Sequence, residues 1–167
     1  TNGCPAGKYG FGIRCNGNIV GCTSLRDELF LEDNIRNRSL IDIWEDPESF
    51  KWNRELCRAE MEGFCADCQY SSYCLGGCSV MKFTSEKKLT ENRFCSFNVA
   101  VKQEKEKIAE IKDLKEIILK GSKALIEEEY QLALLHYSRL KDLDEHKISY
   151  LNTLGYIYFK LESYASC

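Results

Sequence analysis

The pattern of apolar and polar residues changes near residue 97 and predicts two differently built regions. Before that point, apolar residues occur in short runs interrupted by glycine, asparagine and cysteine. After it, they recur at intervals of three and four among lysine and glutamate, which is the period of amphipathic helices. The pattern predicts an α+β chain, in which a small region with a β-hairpin and short helices precedes an all-α region of helical hairpins.

Residues 9–23 have the pattern of a β-hairpin. Asn16-Gly17 is the strongest two-residue turn signal, because a type I′ turn needs positive φ at both central positions. In the register that this turn sets, Cys22 lies opposite Phe11. A hairpin with a two-residue loop is therefore predicted at the start of the chain.

Two later segments also predict local structure. Residues 39–44 form a short apolar segment, and Asp46-Pro47 then places an N-cap before a proline at the first helical position. A helix is predicted to run from there to about Leu56. Residues 65–78 are rich in cysteine, glycine, serine and tyrosine, which indicates short turns and helical fragments wrapped around ligands.

The helical region carries an internal period of 34 residues. A unit of that length made of two helices is the tetratricopeptide signature, so the region resembles tetratricopeptide repeats. Lys120 stands where leucine is usual, and an ordinary helical hairpin with coincidental spacing is the alternative. The spaced pairs are Gly121 and Gly155, Tyr130 and Tyr164, Ile117 and Leu151, and Ala133 and Cys167.

The repeat frame predicts how these helices pack. Gly121 and Gly155 would allow neighbouring helices to approach closely, because glycine has no side chain. Leu154 and Tyr158 would fill packing positions of the first helix in the second copy. The second helix of the first copy would be lined by Tyr130, Ala133 and Tyr137.

Three segments follow from these patterns. We expect a cysteine-rich domain over residues 1–100, a connecting helix over residues 101–113, and tetratricopeptide-like repeats over residues 114–167. The second repeat is cut short, and the chain starts without methionine. The sequence is therefore expected to be a piece of a longer protein.

Composition narrows the class of protein. The formal net charge is −3, and no apolar run approaches the roughly 20 residues needed to span a bilayer. Neither a nucleic-acid partner nor a membrane is predicted.

Nine of the ten cysteines lie within the first 95 residues. Disulfides in a secreted scaffold are one reading, but close cysteine pairs beside a Lys/Glu/Leu-rich helical region favour a reduced, cytoplasmic, metal-binding chain.

Two kinds of metal site compete for these thiols. Zinc typically takes two pairs of closely spaced cysteines, whereas this chain has a single Cys-x2-Cys pair. Iron–sulfur clusters accept ligands from scattered loops together with a distant cysteine. Gly76-Gly77 also suits a backbone that passes close to a cluster. The ordered series is Cys4-x12-Gly17-x4-Cys22, then Cys65-x2-Cys68-x5-Cys74-x3-Cys78, then Cys95.

This series resembles the seven-cysteine motif of SPASM domains, which are C-terminal extensions of radical SAM enzymes that mature peptides and proteins. Accessory sequences agree over residues 4 to about 100, including Cys-Pro-Ala-Gly, Ser-Leu-x-x-Ile-Trp and Cys-Leu-Gly-Gly-Cys. The resemblance implies two auxiliary [4Fe–4S] clusters with interleaved ligands. The implied ligands are Cys4, Cys22 and Cys78 for the first cluster, and Cys65, Cys68, Cys74 and Cys95 for the second.

The fourth ligand of the first cluster stays open. Cys57 is the better internal candidate, because Cys15 would lie about 13 Å from Cys22 along the predicted hairpin. Substrate, or a residue from outside this sequence, could also complete the site. Cys15 and Cys167 are interpreted as small apolar fillers.

The resemblance also implies a limit on activity. A radical SAM core needs Cys-x3-Cys-x2-Cys, but Met81 stands where the third cysteine would follow Cys74 and Cys78. S-adenosylmethionine, a third cluster and the catalytic barrel are therefore expected upstream in the same chain. Thr23 replaces the aspartate of the sulfatase-maturing branch, which favours thioether or carbon–carbon crosslinking over formylglycine formation.

The function expected from the resemblance is an auxiliary-cluster domain of a peptide- or protein-modifying radical SAM enzyme, not catalytic by itself. Its clusters would transfer an electron or position the substrate, and the helical repeats would dock a leader peptide or a partner protein. One alternative is a non-catalytic adaptor, stapled by zinc, whose repeats bind proteins. Another is an electron-transfer protein that uses the clusters alone.

Overall fold

The protein is described here by a computed structural model that covers residues 3–144 and 148–165. The described residues form two compact units. The first unit contains residues 3–66 and 73–92, and the second contains residues 67–72 together with the described residues from 93 onward. The predicted α+β class is confirmed, and helices predominate.

The first unit contains a small antiparallel sheet with the strand order β1-β2-β3. Its strands are β1 (Gly12–Ile13), β2 (Asn18–Val20) and β3 (Leu31–Asn34). The predicted hairpin is thus present, but β3 was not predicted, because its Leu-Glu-Asp-Asn sequence has little strand propensity. Pairing with β2 brings β3 into the sheet.

The hairpin loop differs from the prediction of a two-residue turn. Gly12 lies opposite Val20, which shifts the register by one residue from the prediction that set Cys22 opposite Phe11. Gly17 has a positive φ of 88°, whereas Asn16 is not among the residues with positive φ. A glycine in the left-handed region at the end of the loop is the usual form of a three-residue hairpin connection.

Contacts with β3 explain this loop. The Asn34 side chain donates hydrogen bonds to the carbonyl oxygen of Asn16 (3.1 Å) and to the side-chain oxygen of Asn18 (2.7 Å). Arg36 also donates to the carbonyl oxygen of Asn16 (2.7 Å). Side chains from a distant segment therefore determine the turn type, which local sequence alone does not reveal.

Five short α-helices lie wholly or partly in the first unit. Helix α1 follows the N-cap Ser39, whose hydroxyl accepts a hydrogen bond from the amide of Asp42. The helices are α1 (Leu40–Glu45), α2 (Lys51–Arg54), α3 (Gly63–Asp67), α4 (Ser71–Cys74) and α5 (Ser79–Glu86), with 3-10 turns at Glu28–Phe30 and Arg58–Glu60. The short fragments predicted over residues 65–78 are confirmed.

The helix predicted from Pro47 to Leu56 is shorter than expected. Residues 47–50 form turns, and Phe50 has a left-handed backbone (φ 59°), so α2 starts only at Lys51. The Phe50 amide donates to a carboxylate oxygen of Glu32 (2.8 Å), and Arg54 donates to carbonyl groups in this stretch. These tertiary hydrogen bonds replace the helical ones that the Asp-Pro signal predicts.

The core of the first unit consists of small separate clusters. Aromatic residues dominate two of them, with Phe30 packed edge-on against both Trp52 and Phe83. Clusters of this size bury little apolar surface, so a ligand that joins several segments would add substantially to stability.

The second unit is helical. It contains α6 (Ser96–Glu110), α7 (Leu114–Ile126), α8 (Tyr130–Leu143) and α9 (Ile148–Ala165). Helices α7 and α9 begin 34 residues apart, in agreement with the period in the sequence. Within the described ranges, no helix is both long and apolar enough to cross a membrane.

The packing of these helices matches only part of the repeat prediction. A Cβ atom at Gly121 would lie 3.0 Å from the Tyr137 ring, so this glycine permits close approach as predicted. Gly155 is exposed, and a Cβ atom added there would meet no atom of the described residues within 4 Å, so the prediction stays untested at this position, where the second repeat is cut short. Leu154 is buried, but Tyr158 is 52% exposed, contrary to its predicted packing role.

The buried stripe of α9 explains the difference. Tyr150, Leu154 and Ile157 are buried at helical spacing, and Tyr158 lies about 100° around the helix from Ile157. The predicted lining of α8 is confirmed, since Tyr130, Ala133 and Tyr137 all belong to the core. The predicted equivalents Tyr164 (its side chain) and Cys167 lie outside the described residues.

Candidate metal centre

Three of the predicted ligands line one cavity of about 660 Å³ in the first unit. Cys4 comes from the N-terminal turn, Cys22 lies two residues after β2, and Cys78 is the N-cap of α5. These are the three cysteines that the resemblance implies for the first cluster. The fold therefore brings together residues that are up to 74 positions apart in the sequence.

A buried asparagine holds the turn that carries Cys4. The side-chain amide of Asn53, on α2, donates hydrogen bonds to the carbonyl oxygens of Cys4 (2.8 Å) and Ala6 (2.6 Å). Arg54 donates to the carbonyl oxygen of Gly7 (2.8 Å). Helix α2 thus fixes both ends of the Cys-Pro-Ala-Gly sequence.

Gly7 is required for this arrangement. It has a positive φ of 71°, which disfavours other residues, and an added Cβ would collide with the side chain of Phe50. The left-handed Phe50 therefore packs directly against the backbone of the Cys4 turn. The Cys-Pro-Ala-Gly sequence and the interrupted α2 are two parts of one local structure.

The surroundings of Cys4 favour its thiolate. Burial raises the pKa of the Cys4 thiol, but hydrogen bonds from the backbone of Ser79 and Ala6, together with the charge of Lys82, outweigh that effect and lower the pKa. A thiolate is the form of cysteine that binds metal. Cys4 is thus prepared electrostatically to act as a ligand.

The loop between Cys74 and Cys78 has an unusual backbone. Three consecutive residues between these cysteines have positive φ, and the amide of the last of them donates to the carbonyl oxygen of Cys74 (2.7 Å). An added Cβ at Gly77 would meet nothing within 4 Å, because this glycine faces the cavity. The three residues are Leu75 (φ 47°), Gly76 (φ 72°) and Gly77 (φ 71°).

Two buried side chains tie this loop to its surroundings. The Lys82 ammonium donates to the carbonyl oxygen of Leu75 (2.7 Å), and the Asn92 side-chain amide donates to the carbonyl oxygen of Gly76 (2.9 Å). Burial lowers the pKa of Lys82, and the charges of nearby cysteines partly oppose that effect. Buried polar side chains therefore hold the strained backbone in place. Its carbonyl oxygens in turn give these side chains hydrogen-bond partners.

The four cysteines predicted for the second cluster divide between the two units. Cys65 and Cys74 belong to the first unit, and Cys68 and Cys95 to the second. Cys65 and Cys68 are buried, and Cys95 is the N-cap of the 15-residue helix α6. The grouping of these four residues as one site stays a prediction.

The segment that carries Cys68 is anchored within the second unit by a pair of glutamines. The Gln69 side chain donates to the carbonyl oxygen of Glu128 (2.9 Å) and accepts from the backbone amide of Gln131 (3.2 Å). The Gln131 side chain donates in turn to the carbonyl oxygen of Asp67 (2.5 Å). Residues on both sides of Cys68 are thereby fixed to the turn between α7 and α8.

The two remaining candidates lie elsewhere on the surface. Cys57 is exposed, its backbone amide donates to the carboxylate of Glu60 (3.0 Å), and it does not line the cavity of Cys4. Cys15 is also exposed, in the hairpin loop, so the interpretation as an apolar filler is wrong for this residue. Whether Cys57 is a ligand stays open.

The residues around the cavity fit an iron–sulfur cluster. The lining consists of thiols, glycines and apolar or hydroxyl side chains, without a charged Lys, Arg, Asp or Glu. Thiols are the donors that these clusters use, and three of them line this low-polarity pocket. Among the described residues, no group of three or more His, Cys, Asp or Glu side chains is arranged to hold a single metal ion.

The residues that support the cysteines were not predicted from the sequence. Lys82 follows Cys78 by one helical turn, and this spacing is the local signal for its position on the same face of α5. No such local signal marks Asn53, whose partners are 47 or more residues away, or the pair Gln69 and Gln131, whose partners are 59 or more residues away.

Comparison with protein families supports the interpretation of the first 69 residues. Residues 4–69 match the SPASM family, an iron–sulfur cluster-binding domain. The match includes Cys4, Cys22, Cys65 and Cys68 of the seven predicted ligands. The match therefore supports iron–sulfur cluster binding by this part of the chain. Comparison with curated proteins and with solved structures gave no match.

Proposed function

We propose that the cysteine-rich region binds two [4Fe–4S] clusters and is the auxiliary-cluster domain of a radical SAM enzyme that modifies a peptide or protein. The observation that carries the proposal is the common cavity lined by Cys4, Cys22 and Cys78. The cysteine spacing and the family match over residues 4–69 support it.

The proposal assigns each cysteine to one of the two clusters. Cys4, Cys22 and Cys78 would hold the first cluster, and Cys65, Cys68, Cys74 and Cys95 the second. When bound, the clusters would supply a site that accepts one electron from a substrate radical, formed by an upstream S-adenosylmethionine-binding barrel. The glycines beside Cys22 and Cys78 leave the cavity open for a fourth ligand or for substrate.

Anaerobic reconstitution with iron and sulfide tests this proposal. We expect about eight iron atoms per chain, and a loss of about half of them when Cys4, Cys22 or Cys78 is replaced by serine. Cys15→Ser is the matched control, because Cys15 is exposed in the hairpin loop, and it should retain the full iron content. Stoichiometric zinc without an iron–sulfur spectrum would instead identify a zinc-stapled adaptor.

For the helical unit we propose that it binds a peptide or a partner protein. A polar cavity of about 370 Å³ is lined by residues of α6, α7 and α8, including Lys123 and His136. The Nδ1 atom of His136 and one carboxylate oxygen of Glu129 are buried there without a hydrogen-bond partner among the described residues. A peptide backbone would offer both the donors and the acceptors that such a cavity lacks.

A displayed library of random peptides tests this second proposal. Peptides selected on the reconstituted protein should lose binding to Lys123→Glu, which reverses a charge in the cavity. They should retain binding to Lys115→Glu, an exposed change on the same helix outside the cavity lining. Selected peptides that bind both variants like the unchanged protein would contradict the proposed location.

A further inference from the structure

Lys82 is a fully buried lysine in the first unit. Its side chain lies on α5 and its relative exposure is 0%. The ammonium donates a hydrogen bond to the carbonyl oxygen of Leu75 (2.7 Å). An ammonium has three donors, and burying its charge costs several kcal/mol unless an opposite charge compensates. Within the described part of the chain, no carboxylate forms an ion pair with it.

The charged groups that do act on Lys82 are cysteines. The Lys82 amide donates to the carbonyl oxygen of Cys78 (3.2 Å), and the charges of four cysteines, Cys4, Cys65, Cys74 and Cys78, oppose the lowering of the Lys82 pKa by burial. Two of them, Cys4 and Cys78, belong to the proposed first cluster, and the other two, Cys65 and Cys74, to the proposed second cluster. Lys82 therefore lies beside ligands of both sets, and all five residues are in the first unit.

The backbone makes room for the lysine stem at this place. A Cβ atom at Gly76 would lie 2.8 Å from the Cδ atom of Lys82 and 3.7 Å from the sulfur of Cys65. Any larger residue at position 76 would push the stem away. The left-handed loop between Cys74 and Cys78 thus allows the ammonium to reach the carbonyl oxygen of Leu75.

From this arrangement we infer that the Lys82 ammonium is a counter-charge for the proposed cluster of Cys4, Cys22 and Cys78 and sets its reduction potential. The inference rests on the proposed function and assigns a positioning and tuning role to a residue that is not a ligand. Thiolate-bound clusters carry negative charge, and that charge grows by one unit on reduction. A fixed positive charge nearby stabilises the reduced form more than the oxidised form, which raises the potential.

The same charge explains how a lysine can be buried among cysteines. Ligand thiolates supply the negative charge that compensates the ammonium, and the ammonium in turn stabilises the anionic cluster that they hold. The hydrogen bond to Leu75 fixes the direction of the side chain. Lys82 is thus coupled both to the loop between Cys74 and Cys78 and to the charge of the bound groups.

Redox titration of the anaerobically reconstituted protein tests the inference. Lys82→Met keeps the unbranched stem, one atom shorter, and removes the charge, whereas Lys82→Arg keeps the charge. Lys88→Met is the control, because it removes the same charge at a side chain that is 59% exposed. Iron content and the electron paramagnetic resonance spectrum of the reduced protein are measured for each variant.

We expect the potential of the cluster held by Cys4, Cys22 and Cys78 to fall in Lys82→Met and to stay near the original value in Lys82→Arg and Lys88→Met. Loss of clusters in Lys82→Met, with retention in Lys82→Arg, would also support the role of the charge. An unchanged potential of this cluster in a fully loaded Lys82→Met protein would overturn this inference alone. Failure of the unchanged protein to bind iron would overturn the proposed function, and with it the inference.

Discussion

Gln69 and Gln131 fix the segment around Cys68 to the start of α8 by reciprocal hydrogen bonds. The Gln69 side chain accepts from the Gln131 amide, and the Gln131 side chain donates to the carbonyl oxygen of Asp67. Both glutamines are buried. The helical unit therefore includes part of the cysteine motif, and it has a structural role besides the proposed binding of a peptide.

Replacement of Gln69 tests that role. Gln69→Ala removes the hydrogen bonds to Glu128 and Gln131 and leaves the buried backbone amide of Gln131 without this partner. The free energy of unfolding should fall by about 1–3 kcal/mol. Because Cys68 would lose its anchor, we also expect reduced iron content. Gln103→Ala, an exposed change on α6, should leave both quantities unchanged. Equal iron content in the two variants would show that Cys68 does not depend on this anchor.

Asn53 should matter in the same way for Cys4. Asn53→Ala leaves the carbonyl oxygens of Cys4 and Ala6 without their donor, so roughly 2–4 kcal/mol of stability should be lost. Iron content after reconstitution should fall, because the turn is no longer held beside the cavity. Asn37→Ala, at an exposed position, serves as the comparison. Thermal unfolding and iron analysis of both variants would decide the matter.

Alanine substitutions at Gly76 and Gly77 can be compared directly, because only one of the two glycines contacts Lys82. Both have positive φ, so alanine at either position should cost about 1–2 kcal/mol of backbone strain. Only at Gly76 would the added methyl group also displace the stem of Lys82. Gly76→Ala should therefore be clearly more destabilising than Gly77→Ala in denaturant unfolding. Equal losses would mean that Lys82 adjusts without cost.

His136 should make the helical unit sensitive to acid. Burial lowers the pKa of His136 below its ordinary value of 6.5, partly opposed by Glu104. As the pH falls, His136 in the unfolded chain takes up a proton at a higher pH than His136 in the folded protein. The stability that neutral His136 contributes is therefore fully present above pH 6.5, and it is lost as the pH falls through the lower pKa of the folded state.

His136→Gln isolates this contribution. Glutamine does not titrate. The unfolding temperature of the unchanged protein should therefore fall towards that of the variant as the pH is lowered from about 7.5 to about 5.5. Circular dichroism of the helical signal measures it. A difference that stays constant over this range would contradict a titrating His136.

The sequence by itself predicted the chemistry of the cysteine-rich region. The order and spacing of the cysteines resemble the SPASM motif and predict iron–sulfur cluster binding, which the family match over residues 4–69 supports. Hydrophobic periodicity located the helical region, since each amphipathic helix carries its own 3.6-residue pattern. The glycines at 76 and 77 were also recognisable as positions of unusual backbone.

Only the tertiary structure decided how the cysteines are supported. The hairpin loop depends on Asn34 from a third strand, α2 is shortened by hydrogen bonds to Glu32 and Arg54, and the Cys4 turn depends on Asn53. Most of these partners lie far along the chain, so no local pattern encodes them. Lys82 shows the same point, because its burial and its hydrogen bond to Leu75 exist only after the loop and α5 have folded together.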